Sequence, residues 1–94
     1  MVGIILFDNG TGHNPQLSRV CEYYLNLESM TAELIWEYSH PEQYVGLSLG
    51  SVQRLDNGNT LINWGNIPNK GPIITEINAE KEIVLELEFP ENDN

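Results

Sequence analysis

The sequence predicts an all-β fold made of short antiparallel strands. Apolar and polar residues alternate with a period of two, and residues i and i+2 of a strand lie on the same side. Residues 82–89 show this best, with Val84 the one exception: Ile83, Leu85, Leu87 and Phe89 are predicted on one face, and Glu82, Glu86 and Glu88 on the other. Turn-forming residues bound these stretches, and none keeps helical spacing long enough to form a helix.

Alternation and turns together predict seven strands. Asn57-Gly58 supplies the positive φ angles that a tight hairpin needs, and similar turns are expected at Asn26–Met30 and Asn78–Lys81. Ala32, Leu34, Trp36 and Tyr38 are predicted to share one face. The predicted strands are Gly3–Phe7, Arg19–Leu25, Thr31–Tyr38, Ser51–Leu55, Thr60–Trp64, Ile73–Ile77 and Glu82–Phe89.

The order of these strands repeats along the chain. Gly3–Phe7 corresponds to Thr60–Trp64, Arg19–Tyr23 to Ile73–Ile77, and Glu33–Tyr38 to Val84–Phe89. Such a repeat is typical of antiparallel four-stranded β-propeller blades. We therefore predict a single all-β domain over residues 1–90, with a partial blade at 3–38, a complete blade at 51–89 and a disordered acidic tail at 91–94. A small β-sandwich is the alternative.

Composition excludes several function classes. Four basic residues stand against fourteen acidic ones, for a net charge of −10, so neither nucleic acid nor an anionic membrane surface is an expected partner. The single cysteine, Cys21, excludes an intramolecular disulfide and is expected to be a buried thiol. The apolar stretch Met1–Phe7 lacks the basic start of a signal peptide, and no run is long enough to span a membrane. The compartment stays open.

Several stretches in this order resemble the arylsulfotransferase family of six-bladed propellers. The resemblance covers nearly the whole chain, from Ile4 to Phe89. It rests on Ile5–Gly10, Ser18–Tyr23, Ile35–Tyr38, Gly50–Gly65 and Ile74–Ile77.

This resemblance implies sulfuryl transfer from a phenolic sulfate ester to a phenol through a sulfohistidine, with no nucleotide donor or other cofactor. The groups responsible line the central channel of a complete propeller, so the aryl sulfate and the phenol are expected partners only when the full propeller is assembled. Functional histidines of the family lie at the start of innermost strands. Gly50-Ser51 occupies that position here, and the equivalent position before Ile4 lies beyond the N-terminus. The chain alone is therefore expected to lack the nucleophile and to be inactive.

The remaining candidates each have an ordinary alternative. His13 and Arg19 are the catalytic candidates, although a loop histidine is usually solvated and an arginine among carboxylates is usually ion-paired. For substrate binding the candidates are Asn9, Arg54, Trp64 and Asn66, with inter-blade packing the alternative role for Trp64. His40, before Pro41, is expected to be a solvated loop residue. Asp8-Asn9 supplies too few oxygen ligands for calcium, so no metal site is predicted.

A partly built propeller also exposes strand edges, and free edges recruit other strands. The alternative function is therefore a non-catalytic interaction module that forms a homo-oligomer through these edges.

Overall fold

The computed structural model describes residues 2–12 and 14–90, and within them every regular element is a strand. His13 and the predicted tail at 91–94 lie outside the described residues. The seven strands are β1 (Val2–Asp8), β2 (Arg19–Asn26), β3 (Thr31–Tyr38), β4 (Ser51–Arg54), β5 (Thr60–Asn63), β6 (Ile73–Ile77) and β7 (Ile83–Glu88). The predicted all-β fold is confirmed, and each strand bound differs from the predicted one by at most one residue.

The strands form two antiparallel sheets. The first sheet has the order β1-β2-β3 and the second has the order β4-β5-β6-β7. Neighbouring strands are consecutive in sequence. Short turns join β2 to β3, β4 to β5 and β6 to β7, whereas the longer segments 9–18 and 64–72 join β1 to β2 and β5 to β6. At the Asn57-Gly58 turn, Gly58 has a φ of 89° and the Asn57 side-chain oxygen accepts the Asn59 N–H. The domain boundaries drawn at 1–90, 3–38 and 51–89 stay a prediction.

Both sheets carry a β-bulge at the corresponding place. On β3 the pairing passes over Ile35 opposite Glu22 and Tyr23, and on β7 it passes over Val84 opposite Glu76 and Ile77. A bulge inserts one extra residue and turns the side chains beyond it to the other face. The matching bulges show that β2-β3 and β6-β7 are equivalent hairpins.

The bulges correct the predicted face of β3. Trp36 and Tyr38 pair with Glu22 and Val20 on the side facing the second sheet, whereas Ala32 and Leu34 lie on the opposite side. The prediction that all four share one face is therefore wrong. The bulge at Val84 likewise places Ile83 on the face opposite Leu85 and Leu87.

Aligning the two bulges also moves the match between β1 and β5 by one residue. Phe7 pairs with Val20 in the first sheet, and Asn63 pairs with Ile74 in the second. Phe7 therefore corresponds to Asn63 and Leu6 to Ile62. The predicted match of Phe7 with Trp64 is wrong by one residue, and a slip of one residue reverses every side chain. The predicted match of Tyr38 with Phe89 is wrong by two residues, because Tyr38 corresponds to Leu87.

The core lies between the sheets, on what we call their inner faces. From the first sheet it takes Phe7, Val20 and Tyr38, and from the second it takes a larger apolar set: Val52, Ile62, Trp64, Ile73 and Ile77. Burial of these side chains is the main stabilising contribution to the fold.

The opposite sides, here called the outer faces, have no sheet packed on them among residues 2–12 and 14–90. On the outer face of the first sheet lie Val2, Ile4, Leu6, Cys21, Tyr23, Leu25 and Leu34. On the outer face of the second sheet lie Ser51, Gln53, Leu61, Asn63, Ile74, Glu76, Leu85 and Leu87. The apolar side of β7 thus points away from the first sheet, and its glutamate side points toward it. In the described part of the chain, no helix is long and apolar enough to cross a membrane.

Candidate functional site

The loop of residues 39–50 connects the two sheets and is held at both of its sides. The buried Ser18 hydroxyl accepts the Gly46 N–H at 2.7 Å and donates to the Asn9 carbonyl at 3.0 Å. Toward the second sheet, the Leu47 N–H donates to the Asn66 carbonyl at 2.8 Å. The loop is therefore fixed between the start of β2 and the segment that follows β5.

This anchoring places His40 between the sheets, where only 3% of its surface is exposed. Its Nε2 lies 2.7 Å from a carboxylate oxygen of Glu86 on β7. Its ring stacks on Tyr44 with centroids 4.2 Å apart and meets Trp64 edge-on at 5.7 Å. The expectation that His40 is a solvated loop residue is wrong, because the loop folds inward over the core.

The hydrogen bonds define which imidazole nitrogen carries the proton. The Glu42 N–H donates to His40 Nδ1 at 2.9 Å, so Nδ1 is an acceptor. Nε2 must then hold the proton and donate it to Glu86, since a neutral imidazole has one donor and one acceptor. Both nitrogens are thus occupied, and neither has a lone pair free for a substrate.

Glu86 joins this histidine to the centre of the core. The same carboxylate oxygen accepts the Thr75 hydroxyl at 2.6 Å, and Thr75 in turn accepts the indole N–H of Trp64 at 2.9 Å. We call His40, Glu86, Thr75 and Trp64 the inter-sheet network. Each buried polar atom in it has a partner, which is the condition under which buried polar groups stabilise a fold.

Aromatic rings surround the apolar end of the network. Trp64 is fully buried and meets Phe7 edge-on at 5.8 Å, Tyr38 at 6.4 Å and Tyr44 at 6.0 Å between centroids. Tyr38 belongs to the first sheet, and its buried hydroxyl has no hydrogen-bond partner among the described residues. Trp64 therefore packs between the sheets, the role given above as its alternative to substrate binding.

The two catalytic candidates cannot both be placed. His13 lies outside the described residues. Arg19 lies on the outer face of the first sheet, where its guanidinium contacts Asp8 at 3.2 Å and Glu37 at 3.4 Å. The hydrogen bond to Asp8 raises the pKa of Arg19 above its ordinary value. This arginine is ion-paired and faces away from Trp64.

The other candidates for substrate binding are also engaged within the chain. The main-chain carbonyl of Asn9 accepts hydrogen bonds from the Gln16 side-chain amide and the Ser18 hydroxyl. The Asn66 side-chain amide donates to the Ser48 hydroxyl at 2.8 Å. Both lie beside the anchored loop. Arg54 lies at the far end of β4, where it contacts Glu22 at 3.0 Å and its guanidinium lies over the Trp36 ring. The structure thus brings Asn9 and Asn66 to one end of the sheets, with Arg54 at the other.

Gly50, one of the two residues at the position expected for a family histidine, has no room for a side chain. Gly50 lies directly before β4, and a Cβ built on it would overlap the Phe7 ring. Ser51 begins the strand on the outer face of the second sheet, opposite Asn63. Glycine at position 50 is therefore a packing requirement of the sheet-to-sheet contact.

Burial also makes the fold sensitive to alkaline pH. Burial raises the pKa of the Cys21 thiol above its ordinary 9.0, and burial followed by the nearby Glu86 charge raises the pKa of Tyr38 and Tyr44 above 10.0. A pKa that is higher in the folded state stabilises below the unfolded value and stops doing so as pH rises through the folded value.

We therefore expect the free energy of unfolding, measured by urea titration, to decline as pH rises from 8 to about 11. Tyr44→Phe removes one titrating group and should reduce the decline. An equally steep decline in this variant would contradict the assignment.

Sequence reasoning missed Glu86, Thr75 and Tyr44 and set His40 aside. Glu86 is one of several alternating glutamates on its strand, and nothing local distinguishes it from Glu88. Only the position of the loop across the second sheet selects Glu86.

Two consecutive antiparallel sheets with equivalent hairpins, packed face to face on a shared apolar core, define a protein of the all-β, blade-like class. Comparison with known families goes further. The family model described as arylsulfotransferase (ASST) matches residues 1–94, and the chain belongs to that family. Neither the curated proteins nor the solved structures gave a significant match.

Proposed function

We propose that this chain forms part of the wall of an arylsulfotransferase-type β-propeller and does not itself supply the nucleophile. The observation that carries the proposal is the family match over the whole of residues 1–94. The activity would be transfer of a sulfuryl group from a phenolic sulfate ester to a phenol, with a histidine as the intermediate carrier. The matching bulges support two successive blades of one architecture.

The described residues favour a wall without a nucleophile. A nucleophilic imidazole needs an accessible nitrogen lone pair, whereas His40 is buried and has both nitrogens hydrogen-bonded. Gly50-Ser51 occupies the place where the resemblance expects a histidine, and Gly50 has no room for a side chain. His13 is the only other histidine in the sequence.

The arginines also favour a wall without a catalytic site of its own. A transferring sulfuryl group develops negative charge on its oxygens, which catalysts stabilise with preorganised cations or amide donors. Arg19 and Arg54 are each paired with carboxylates on their own sheet or its neighbour. Binding a sulfate ester at either arginine would require it to leave those partners.

The test uses the complete chain with p-nitrophenyl sulfate as donor and phenol as acceptor. We expect no release of p-nitrophenol above the buffer rate. We also expect no sulfation of either histidine when the chain is quenched under acid-free conditions and examined by mass spectrometry.

Two variants show which histidine is responsible if turnover or labelling is detected. Turnover or labelling that His13→Ala abolishes and His40→Gln retains would make His13 the nucleophile and overturn the proposal. Labelling at His40 would contradict both the proposal and the buried geometry of the inter-sheet network.

The second candidate is a non-catalytic interaction module that self-associates. The observation that favours it is the pair of apolar outer faces, on which Ile4, Leu6, Leu85 and Leu87 are 37–47% exposed. Association through the strand edges is the simplest form of this proposal. Two of the four edge strands, β3 and β7, carry glutamates, however, and contact between these two edges would bring like charges together.

A further inference from the structure

We propose that a second copy of this chain docks face to face on the first, with the outer face of one copy's second sheet against the outer face of the other copy's first sheet. This inference does not depend on sulfuryl transfer. It rests on the register of the two sheets, which relates their faces residue by residue.

Equivalent rows of the two sheets lie on opposite faces, so that a row on the outer face of one sheet corresponds to a row on the inner face of the other. The outer row Leu6–Cys21–Glu37 of the first sheet corresponds to the inner row Ile62–Thr75–Glu86 of the second. The inner row Phe7–Val20–Tyr38 of the first sheet corresponds to the outer row Asn63–Ile74–Leu87 of the second. Each outer face is therefore the structural equivalent of a face that is already packed inside the chain.

This equivalence supplies both halves of one interface. The inner face of the first sheet packs on the inner face of the second within the chain. The outer face of the second sheet is equivalent to the inner face of the first sheet. The outer face of the first sheet is equivalent to the inner face of the second. Placing one against the other repeats this packing for the three strands that the two sheets share, whereas β4, which contacts β1 within the chain, has no counterpart in the first sheet.

The chemistry of the two outer faces fits this arrangement. On the first sheet, Ile4 pairs with Tyr23 and Tyr23 with Leu34 in one apolar row. On the second sheet, Leu61, Ile74, Leu85 and Leu87 form an apolar patch. Burying such patches is favourable at roughly 25 cal/mol per Å² of apolar surface.

The charges on these faces are already partnered. On the first sheet, Asp8, Arg19 and Glu37 form an ion-paired cluster at one end of the outer face. On the second sheet, the Glu76 carboxylate accepts the Asn59 side-chain N–H at 2.7 Å. Docking therefore covers mainly apolar and amide groups, while most of the acidic surface stays in solvent.

The interface is heterologous, because two different faces meet. Such contacts form closed rings or open chains, depending on the rotation between copies. The net charge of −10 on each copy opposes association. Added salt screens this repulsion, so association should increase with ionic strength.

The experiment measures the mass of the full chain by light scattering and sedimentation over a range of concentrations, at low and high salt. We expect the mass to rise above the monomer value of 10.6 kDa with concentration, and to rise further in high salt. A monomer at every concentration and salt level would overturn the proposal and leave the outer faces to a sheet from outside this sequence.

Two variants test which faces meet. Ile4→Lys places a charge on the outer face of the first sheet, and Leu85→Lys places one on the outer face of the second. Each side chain is already partly exposed, at 43% and 44%, so both variants should fold, which circular dichroism checks. Each alone should be monomeric.

Mixing the two variants gives the decisive result. Each retains one intact face of the pair, so the mixture should form a one-to-one dimer of twice 10.6 kDa and grow no further. Leu49→Lys is the charge-matched control, because Leu49 is 77% exposed on the loop of residues 39–50 and should associate as the parent does. Association that persists in both single variants, or a mixture that stays monomeric, would overturn face-to-face docking.

Discussion

Trp64→Ala is expected to lower the free energy of unfolding by about 3–5 kcal/mol, the range for a buried Trp truncated to Ala. The indole is fully buried and contacts two rings of the first sheet, Phe7 and Tyr38, as well as Tyr44 on the loop of residues 39–50. The total free energy of unfolding for a chain of this length is of order 5–14 kcal/mol. The variant should therefore lose a large share of its stability, with a fall in Tm of more than about 12 °C.

Urea unfolding followed by circular dichroism measures this effect, with Trp36→Ala as the matched control. Trp36 loses the same atoms on truncation but is only half-buried, with its ring under Arg54 and Lys81. Its truncation should cost about 1–2 kcal/mol, mainly from lost cation–π and apolar contact. Equal costs for the two tryptophans would contradict a core centred on Trp64.

His40→Ala is expected to lower the free energy of unfolding by about 2–4 kcal/mol. The substitution leaves the Glu42 N–H without its partner, removes one of two donors to the Glu86 carboxylate and deletes the stacked ring on Tyr44. A hydrogen bond contributes about 0.5–1.5 kcal/mol, or about 1.5–3 kcal/mol when one partner is charged, and an aromatic pair about 0.5–1.5 kcal/mol.

A double-mutant cycle with Glu86→Ala isolates the contact between the loop of residues 39–50 and β7. The coupling energy between positions 40 and 86 should be about 1–3 kcal/mol, as for residues in one hydrogen-bond network. Glu88 is the matched control on the same strand, since it contacts Lys70 at 3.7 Å and both side chains are exposed. Additive costs at 40 and 86, or an equal coupling between 40 and 88, would contradict the inter-sheet network.

Local patterns in the sequence were sufficient to predict the elements of this fold. Alternation identified all seven strands, and Asn57-Gly58 identified a hairpin whose positive φ the structure confirms. These features depend on residues close together in the chain, so they can be predicted without knowing which other strands they contact. The residues that resemble the arylsulfotransferase family likewise predicted the family that the whole-chain match confirms.

The sequence was not sufficient to predict which face of each strand is buried. Alternation says that two sets of side chains point in opposite directions, and it does not say which set meets another sheet. On β7 the leucines Leu85 and Leu87 face outward and Glu86 faces inward. The bulges at Ile35 and Val84 add to this, because each reverses the alternation partway along its strand.

What the sequence by itself determined about this protein is therefore its class, its strands, its turns and its family. What only the tertiary structure decided is which faces pack, that His40 is buried against Glu86, and that Gly50 leaves no room for a histidine side chain. The physical reason is distance along the chain. His40 and Glu86 are 46 residues apart, and their contact exists only once the loop of residues 39–50 lies across the second sheet.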